Sequence, residues 1–434
     1  MKIGLIQSEA VAGDLSRNLR RVVQGYRQCL DEGAELVIAP AHALDGAFLQ
    51  DLAERSSFRL QARAALHALA SETSLPMLIA SCAGMPGEPS GARPWLLQSG
   101  EVTPLQEHSP VAIGNRRFSI HLAPPTPTPT ADTGNCDYVL HMPGAPWWHG
   151  QEQEWQQLAE QEARHTGAHI LLLRSVAHTE GQLAPGGSFA CSPEGGPAAL
   201  PTLEPASRVW QAGKSRLQQP PAHAPLLGVV CYALRSMLEQ SGYAGLAIDT
   251  AAPQAALLLA LSRAAVGARR TIALSTVPAT ERNTLAGKQM QLHPTGAEEH
   301  DLLLLNSCTL SQRILGATPA PAALAGMFAP LGELYDSECA LLREQLLATL
   351  PQPLRAQLPP LPGLMPPAQE TELRLLIEDN AAVAEILSRY PQANEARLRK
   401  MLRRLNATPR YGQPCSLRVR RRIVHLPAYH RHSE

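Results

Sequence analysis

The hydrophobic and polar positions of residues 1–173 alternate between short apolar runs and longer stretches with apolar residues at helical spacing. The apolar runs predict strands at 2–7, 36–39, 77–83, 118–122, 137–141 and 169–173. The helical spacing predicts helices at 15–32, 58–72 and 151–165. Gly33 directly follows the first of these helices, where a glycine C-cap belongs. Strands that alternate with helices predict an α/β fold built of layers.

A stretch rich in proline, glycine and alanine, from Pro193 to Pro225, separates this pattern from a second one. Beyond it, the sequence predicts helices at 226–240 and 254–266 and strands at 245–249, 271–276 and 302–306. That order has the spacing of a βαβ unit. Further helices are predicted at 370–377, 380–389 and 395–405. We therefore assign a first domain to residues 1–205, a linker to 206–221 and a second domain to 222–434.

The composition excludes several classes of protein. The chain has 434 residues, of which 44% are hydrophobic, and its formal net charge is zero. This hydrophobic share is enough for a folded core, and the balanced charge gives no indication of nucleic-acid binding. No apolar run reaches about 18 residues, so no membrane span is predicted. The eight cysteines are scattered without C-x-x-C pairs and the N-terminus lacks a secretory signal, which favours a cytoplasmic protein with reduced thiols.

Four blocks of sequence, taken in order, carry a resemblance to a known family. They are MKIGLIQSEAVAGDLSRNLRR at the start, GAELVIAPAHALDGAFLQDL at 33–52, the segment 138–188, and GMFAPLGELYDSE at 326–338. Together they resemble the glutamine-dependent NAD synthetases, which join a nitrilase-type glutaminase to a synthetase domain of the ATP-pyrophosphatase type. The resemblance extends over nearly the whole chain. It implies a nitrilase-like α-β-β-α sandwich, followed by a Rossmann-like domain of the adenine-nucleotide α-hydrolase type.

The residues that match the family's glutaminase site lack its chemistry. In the family a glutamate base follows the proline that ends the second strand, whereas here Pro40 is followed by Ala41. The family's nucleophilic cysteine lies in an I-C-E-D-like segment, and His121 occupies its position here. The lysine that stabilises the oxyanion has no counterpart, because no lysine lies between Lys2 and Lys214. We therefore assign no catalytic residue, and regard Ala41 and His121 as degenerate counterparts of the triad.

The residues that match the family's synthetase site have changed in the same way. The family's pyrophosphate loop, S-G-G-x-D-S, directs backbone N–H groups at phosphate from a helix N-terminus. In the matching run, 250–255, only Thr250 is chemically similar, and Pro253 has no N–H group. Gln254 replaces an aspartate that the resemblance places near the magnesium-nucleotide. A second substrate loop matches 306–311 and has lost its lysine. Thr250 and Gln254 are thus the predicted remains of a nucleotide cleft, and no cofactor is expected.

Other cysteines and histidines offer weaker candidates for chemistry. Cys82 and Cys136 lie at strand ends, where each is either a replacement nucleophile or a buried, inert thiol, and the buried reading is favoured. The histidines that a metal site would use are His121, His141, His149 and His178. Their spacing matches no standard ligand pattern, so no metal site is predicted.

Two surface features remain open between a functional and an ordinary interpretation. Trp147 and Trp148 form a dense aromatic pair in a chain with 4% aromatic residues. They are interpreted either as a loop plug over a vacated pocket or as anchors of a subunit interface. The basic run 418–422 either binds an anion or forms a solvated face, the usual meaning of short basic runs.

The combined pattern predicts a degenerate homologue of NAD synthetase. Chemistry is lost at two sites while the scaffold blocks persist, which favours a structural or regulatory subunit retained for its surfaces. Such a subunit is expected in a homo-oligomer, or in a hetero-oligomer with an intact NAD synthetase. Two alternatives stay open: a catalytically active glutamine-dependent NAD synthetase with divergent site residues, and a protein that senses a nucleotide or dinucleotide. None of these involves nucleic acid or a membrane.

Overall fold

A computed structural model describes residues 1–88, 90–126, 135–214, 217, 225–249, 254–274, 301–315, 326–355, 358–361, 364–379, 381–407 and 415–420. The chain divides into two compact units, residues 1–224 and residues 225–434. None of the helices within these described ranges is long and apolar enough to cross a membrane. Thr250 and its neighbours up to Pro253 lie outside the described residues.

The first unit opens with a six-stranded sheet of order β14-β1-β2-β3-β4-β5, in which β1, β2 and β3 are parallel. Its strands are β1 (Ile3–Gln7), β2 (Leu36–Ala41), β3 (Met77–Ser81), β4 (Arg93–Gln98), β5 (Glu101–Pro104) and β14 (Ala206–Trp210). The intervening helices are α1 (Leu15–Asp31), a short 3₁₀ helix (Gln50–Glu54) and α2 (Ser56–Ser71). Gly33 follows α1 at a φ of 81°, so the predicted glycine C-cap is present.

A second six-stranded sheet has the order β13-β12-β9-β8-β7-β6, with β7, β8 and β9 parallel. Its strands are β6 (Val111–Ile113), β7 (Arg116–His121), β8 (Tyr138–His141), β9 (His169–Leu172), β12 (Phe189–Ser192) and β13 (Gly195–Ala199). The hairpin β10 (Val176–Thr179) and β11 (Gln182–Pro185) stands apart from it. Helix α3 (Gln151–Thr166) connects β8 to β9.

The two sheets form the inner layers of an α-β-β-α sandwich, the architecture that the sequence resemblance implied. Alternate side chains of the first sheet, such as Leu36, form one apolar core with side chains of the second, such as Phe118 and Leu140. The opposite face of the first sheet is covered by α1 and α2, which contribute Tyr26 and several leucines. The opposite face of the second sheet is covered by α3. The ends of β2 and β7, which carry Ala41 and His121, belong to this sandwich.

The predicted linker at 206–221 is partly wrong. Residues 206–210 form strand β14, which pairs antiparallel with β1 and places Trp210 opposite Ile3. Trp210 is 2% exposed and belongs to the core between the sheets. The first unit therefore continues beyond residue 205, and the proline-rich region from Pro193 includes the edge strands β13 and β14.

The second unit contains a three-stranded parallel sheet of order β16-β15-β17. Its first elements are α4 (Leu226–Ser241), β15 (Gly245–Asp249), α5 (Ala255–Val266), a 3₁₀ helix (Ala268–Arg270), β16 (Thr271–Leu274) and β17 (Leu302–Leu304). The later ones are α6 (Leu310–Leu315), β18 (Phe328–Ala329), α7 (Asp336–Thr349), α8 (Gln352–Arg355), α9 (Pro367–Ile377), α10 (Val383–Arg389), α11 (Glu395–Ala407) and β19 (Cys415–Ser416). The parallel order confirms the predicted α/β class for this unit.

Candidate functional site

The residue that the sequence resemblance matches to the family's general base lies at the carboxyl end of β2 and carries only a methyl group. Ala41 is the last residue of β2, faces the core between the sheets and is 8% exposed. A methyl group accepts no proton, so this position contributes no acid–base chemistry. The only lysines of residues 1–224 are Lys2 and Lys214, at the two ends of the unit's sequence.

The residue that the sequence resemblance matches to the family's nucleophile is a neutral, buried imidazole. His121 ends β7 and is 5% exposed, with Nε2 lying 2.8 Å from Oγ of Ser119. Its ring lies 4.5 Å from that of His108 and 5.1 Å from that of His141. Burial above all, and then the positive charge available on His141 and His108, lowers the pKa of His121 to about 3. His121 is therefore uncharged at neutral pH, and Ser119 beside it is fully buried, so this pair presents no nucleophile at the surface.

His141 is held at both ring nitrogens by acceptors. Its Nδ1 lies 2.9 Å from the carbonyl oxygen of Ala123, and its Nε2 lies 2.9 Å from Oε2 of Glu162 on α3. A carbonyl oxygen can only accept, so Nδ1 carries a proton, and a second proton lies between Nε2 and the carboxylate. His141 and Glu162 are both buried, at 3% exposure each. This pair fastens α3 to β8 and to the chain that follows β7.

The cysteines of the first unit are poor nucleophiles. Burial, reinforced by the charge of Asp45, raises the pKa of the Cys82 thiol far above its usual value. Burial also raises the pKa of Cys191 to about 11 and that of Cys29 to about 12. Cys136 is buried as well. A protonated, enclosed thiol neither attacks a carbonyl nor binds a metal ion.

An Asp–His pair that sequence reasoning missed lies directly after Ala41. His42 Nδ1 is 3.0 Å from Oδ2 of Asp45, whose carboxylate also accepts from Ser81 Oγ at 2.6 Å and from the Cys82 N–H at 2.7 Å. Asp45 is fully buried, whereas the His42 side chain is 19% exposed. We refer to this arrangement as the His42–Asp45 pair. Its only sequence signal is the i, i+3 spacing, because the contacts to Ser81 and Cys82 arise from tertiary structure.

The electrostatics of the His42–Asp45 pair keep the carboxylate charged. Burial opposes ionisation of Asp45. The hydrogen bond and the charge of His42 outweigh this effect together with the hydrogen bonds from Ser81 and the Cys82 N–H, so the pKa of Asp45 lies below its usual value. The loop is fixed by Gly46, which has a φ of 94° and on which a β-carbon would overlap the backbone of Ala12. The ionised Asp45 thus holds the Nδ1–H tautomer of His42.

The two tryptophans that were interpreted as a plug or as interface anchors lie in different environments. Trp147 has no exposed surface, and its Nε1 donates to Oε1 of Glu152 at 2.7 Å. Trp148 is partly exposed and packs edge to face on Trp155 of α3, with ring centroids 5.6 Å apart. Because Trp147 has no solvent-exposed surface, it cannot contact another subunit. The interface role therefore stays a prediction for Trp148 alone.

In the second unit, the residues that match the synthetase loops are engaged in internal contacts. Gln254 immediately precedes α5, has a φ of 59° and is 2% exposed. In the loop after β17, Asn306 Oδ1 accepts from the Cys308 N–H at 2.9 Å, and Thr309 Oγ1 donates to Asp336 at 2.7 Å. These contacts describe a packed loop that uses its own polar groups. Thr250 cannot be placed beside them, since it lies outside the described residues.

The described part of the basic C-terminal run is an internal ionic cluster. Arg420 is 8% exposed and pairs with Glu338 and, at 3.5 Å, with Glu378. Its guanidinium stacks on the ring of Tyr335, which Arg374 also covers, at 4.5 and 4.1 Å from the ring centroid. The interpretation of a solvated face is wrong for Arg420, because acidic residues that are distant in sequence surround it. In the part of the chain that the structure describes, no three His, Cys, Asp or Glu side chains are placed to hold a metal ion.

The fold matches solved NAD synthetases over nearly the whole chain. The glutamine-dependent NAD+ synthetase from Acinetobacter baumannii, in complex with adenosine diphosphate, is 17% identical, with 93% of each chain covered and a TM-score of 0.66. The glutamine-dependent NAD(+) synthetase from Cytophaga hutchinsonii is 10% identical, with 96% of this chain and 94% of that chain covered and a TM-score of 0.69. No protein-family model matches the sequence, and neither does any curated protein. The chain therefore has the fold of the glutamine-dependent NAD+ synthetases, as the sequence resemblance implied.

Proposed function

We propose that this protein is a non-catalytic counterpart of the glutamine-dependent NAD synthetases. It retains the two-unit fold as a structural or regulatory subunit and acts in the cytoplasm. The observation that carries this proposal is the state of the first unit's site. Ala41 replaces the base, a buried and neutral His121 replaces the nucleophile, and lysine occurs only near the ends of the unit's sequence. Each of these changes alone removes a group that the amide hydrolysis of the family requires.

The persistence of the scaffold supports a role based on surfaces. Both sheets of the first unit and the three described strands of the parallel sheet in the second are well packed, although the residues that match the family's catalytic groups lack their chemistry. In this proposal the partner is a second copy of this chain or an intact NAD synthetase. Trp148, partly exposed beside α3, is a residue through which such a partner can pack.

The first test measures ammonia release from glutamine. The purified protein should release no ammonia above the buffer control, because no group can form or stabilise a thioester intermediate. The double variant Ala41→Glu/His121→Cys should also be inactive, because it still lacks the lysine. An intact glutamine-dependent NAD synthetase, assayed in parallel, provides the positive control. Ammonia release by the unmodified protein that grows linearly with protein concentration would contradict the proposal.

The second test measures assembly. Light scattering at submicromolar concentration should find an oligomer, either of the protein alone or of the protein co-expressed with an intact NAD synthetase. Permanent interfaces bury more than about 2,000 Å² and survive dilution. Trp148→Ala should weaken the assembly, whereas Trp95→Ala would disturb only the interior, since Trp95 is 3% exposed. A monomer in both preparations, without co-purification, would remove the support for a subunit role.

A further inference from the structure

The His42–Asp45 pair has the features of a proton-accepting centre. Asp45 fixes one proton on Nδ1 of His42, at 3.0 Å, so in the neutral ring the second nitrogen, Nε2, carries the lone pair. Asp45 also compensates the charge that the ring gains when Nε2 accepts a proton. This is the arrangement by which a carboxylate orients a histidine for general-base catalysis.

The His42 ring is partly exposed just beyond the carboxyl end of β2. It points toward Gly144, in the exposed loop after β8, and a β-carbon placed on Gly144 would lie 4.0 Å from Nε2. A separation of 4.0 Å is ordinary van der Waals contact, so a β-carbon at this position would not overlap the ring. The His42 side chain is 19% exposed, so solvent reaches it. Ala41, the preceding residue, has only a methyl group, which belongs to the core between the sheets.

The backbone holds His42 in a conformation that ordinary packing does not favour. Its φ is 59°, in the left-handed region that non-glycine residues rarely adopt. Such a conformation is unfavourable for a non-glycine residue and persists where surrounding contacts impose it. Here the His42 N–H donates to the carbonyl of Ala80 and its carbonyl accepts from the Gly46 N–H, at 2.9 and 2.8 Å. Hydrogen bonds of both the N–H and the carbonyl of His42 therefore fix the backbone that carries the ring.

We infer that His42, positioned by Asp45, is a general base that activates water for the hydrolysis of small acyl esters. A water molecule in front of Nε2 adds to the ester carbonyl carbon and gives one proton to Nε2. When the carbon–oxygen bond to the leaving group breaks, Nε2 returns that proton to the departing alkoxide or phenoxide. The products are a carboxylic acid and an alcohol, and the imidazole is regenerated without any other reactant.

Water is the nucleophile because the neighbouring hydroxyl and thiol are unsuited to that role. Ser81 Oγ donates its proton to Asp45 at 2.6 Å and is fully buried. The Cys82 thiol is buried and stays protonated, as described above. Esters are the expected substrates because their oxygen leaving groups need less assistance than the amine of an amide. The inference is independent of the proposed loss of glutamine chemistry, which concerns a thiol at another position.

The test uses the full-length protein with p-nitrophenyl acetate as the probe, following the absorbance of the released phenolate. His42→Gly is the informative variant, because glycine accepts the positive φ and leaves a space the size of the ring. We expect its rate of hydrolysis to fall at least about tenfold, as for loss of a general base. After subtraction of the rate that imidazole gives without protein, added imidazole should restore much of the rate in His42→Gly and add nothing to the rate of the unmodified protein. Such a rescue is not expected where the substitution only disturbs the fold.

The controls separate the His42–Asp45 pair from general surface reactivity. His67→Gln alters an exposed histidine on α2 and should leave the rate unchanged. Asp45→Asn should lower kcat with little change in KM, as expected for a positioning residue. Three outcomes would overturn the inference: a full rate in His42→Gly, an equal loss in His67→Gln, or an unmodified protein no faster than free imidazole at the same concentration. Ammonia release from glutamine would instead contradict the proposed function and leave this inference standing.

Discussion

Replacing Glu162 with alanine is expected to lower the free energy of unfolding by about 3–5 kcal/mol. The variant leaves His141 buried at 3% exposure, with Nδ1 still bound to the Ala123 carbonyl and Nε2 without its carboxylate at 2.9 Å. An imidazolium in that place has no counter-ion, so the ring must lose a proton or draw water into the interior. Urea denaturation, followed by circular dichroism, measures the loss.

Two other variants make the test of the His141–Glu162 pair specific. Glu162→Gln can donate an amide N–H to Nε2 of a neutral His141 while Nδ1 still donates to Ala123, so its loss should be clearly smaller. Glu160→Ala removes a partly exposed glutamate on the same helix, paired with Arg164 at 2.7 Å, and should cost no more than about 1 kcal/mol. Equal losses in Glu162→Ala and Glu160→Ala would show that the buried pair contributes no more to stability than the exposed one.

The larger elements of the fold could be predicted from local sequence signals. Helix α1 begins at the predicted Leu15, and strand β15 has the predicted bounds, Gly245–Asp249. Both have a regular apolar pattern and clear ends, so local sequence determines them. Strand β14 was missed because its five residues lie within a proline-rich region. It is a strand only because β1 offers it a free edge and the core accepts Trp210, and neither fact is local.

In the candidate site, too, the parts that depend on local sequence could be predicted, and the parts that depend on tertiary contacts could not. The positions of Ala41 and His121 at strand ends follow from the register of motif blocks, and the structure places them there. The role of Asp45 depends on Ser81 and Cys82, which lie more than thirty residues away in sequence. Arg420 is another example, because the composition of its own segment predicts exposure. Glu338, 82 residues earlier in the chain, holds it in the interior instead.

The packing of the segment 326–338 explains its presence without reference to catalysis. Phe328 and Ala329 pair with β19, and the Leu334 carbonyl accepts from the Leu310 N–H. Asp336 accepts from Thr309 and from the Met365 N–H, while Tyr335 lies beneath two guanidinium groups. The segment therefore joins several distant parts of the second unit. The unit needs such a segment in order to fold, so its presence is compatible with the non-catalytic role proposed above.

Asp45→Asn is expected to lower the free energy of unfolding by about 2–4 kcal/mol at neutral pH. The fully buried carboxylate accepts from His42, Ser81 and the Cys82 N–H, and the amide group of asparagine cannot accept at both of its ends. One donor then faces another inside the protein. Thermal and urea denaturation of both proteins at the same pH measure the difference.

The pH dependence of this loss of stability follows from the direction in which folding shifts the pKa of Asp45. The pKa of Asp45 in the folded protein lies below its ordinary value of 3.8, so the folded state holds the proton less tightly than the unfolded chain. The carboxylate therefore stabilises the fold fully above pH 3.8, and this contribution disappears as the pH falls through the lower, folded pKa. The difference between the unmodified protein and Asp45→Asn should shrink over that acidic interval. Asp51→Asn, in which the lost carboxylate is exposed and pairs with Arg55, is the matched control and should change stability little at any pH. A difference between the unmodified protein and Asp45→Asn that stays constant down to the acid transition would mean that the ionised form of Asp45 does not stabilise the fold.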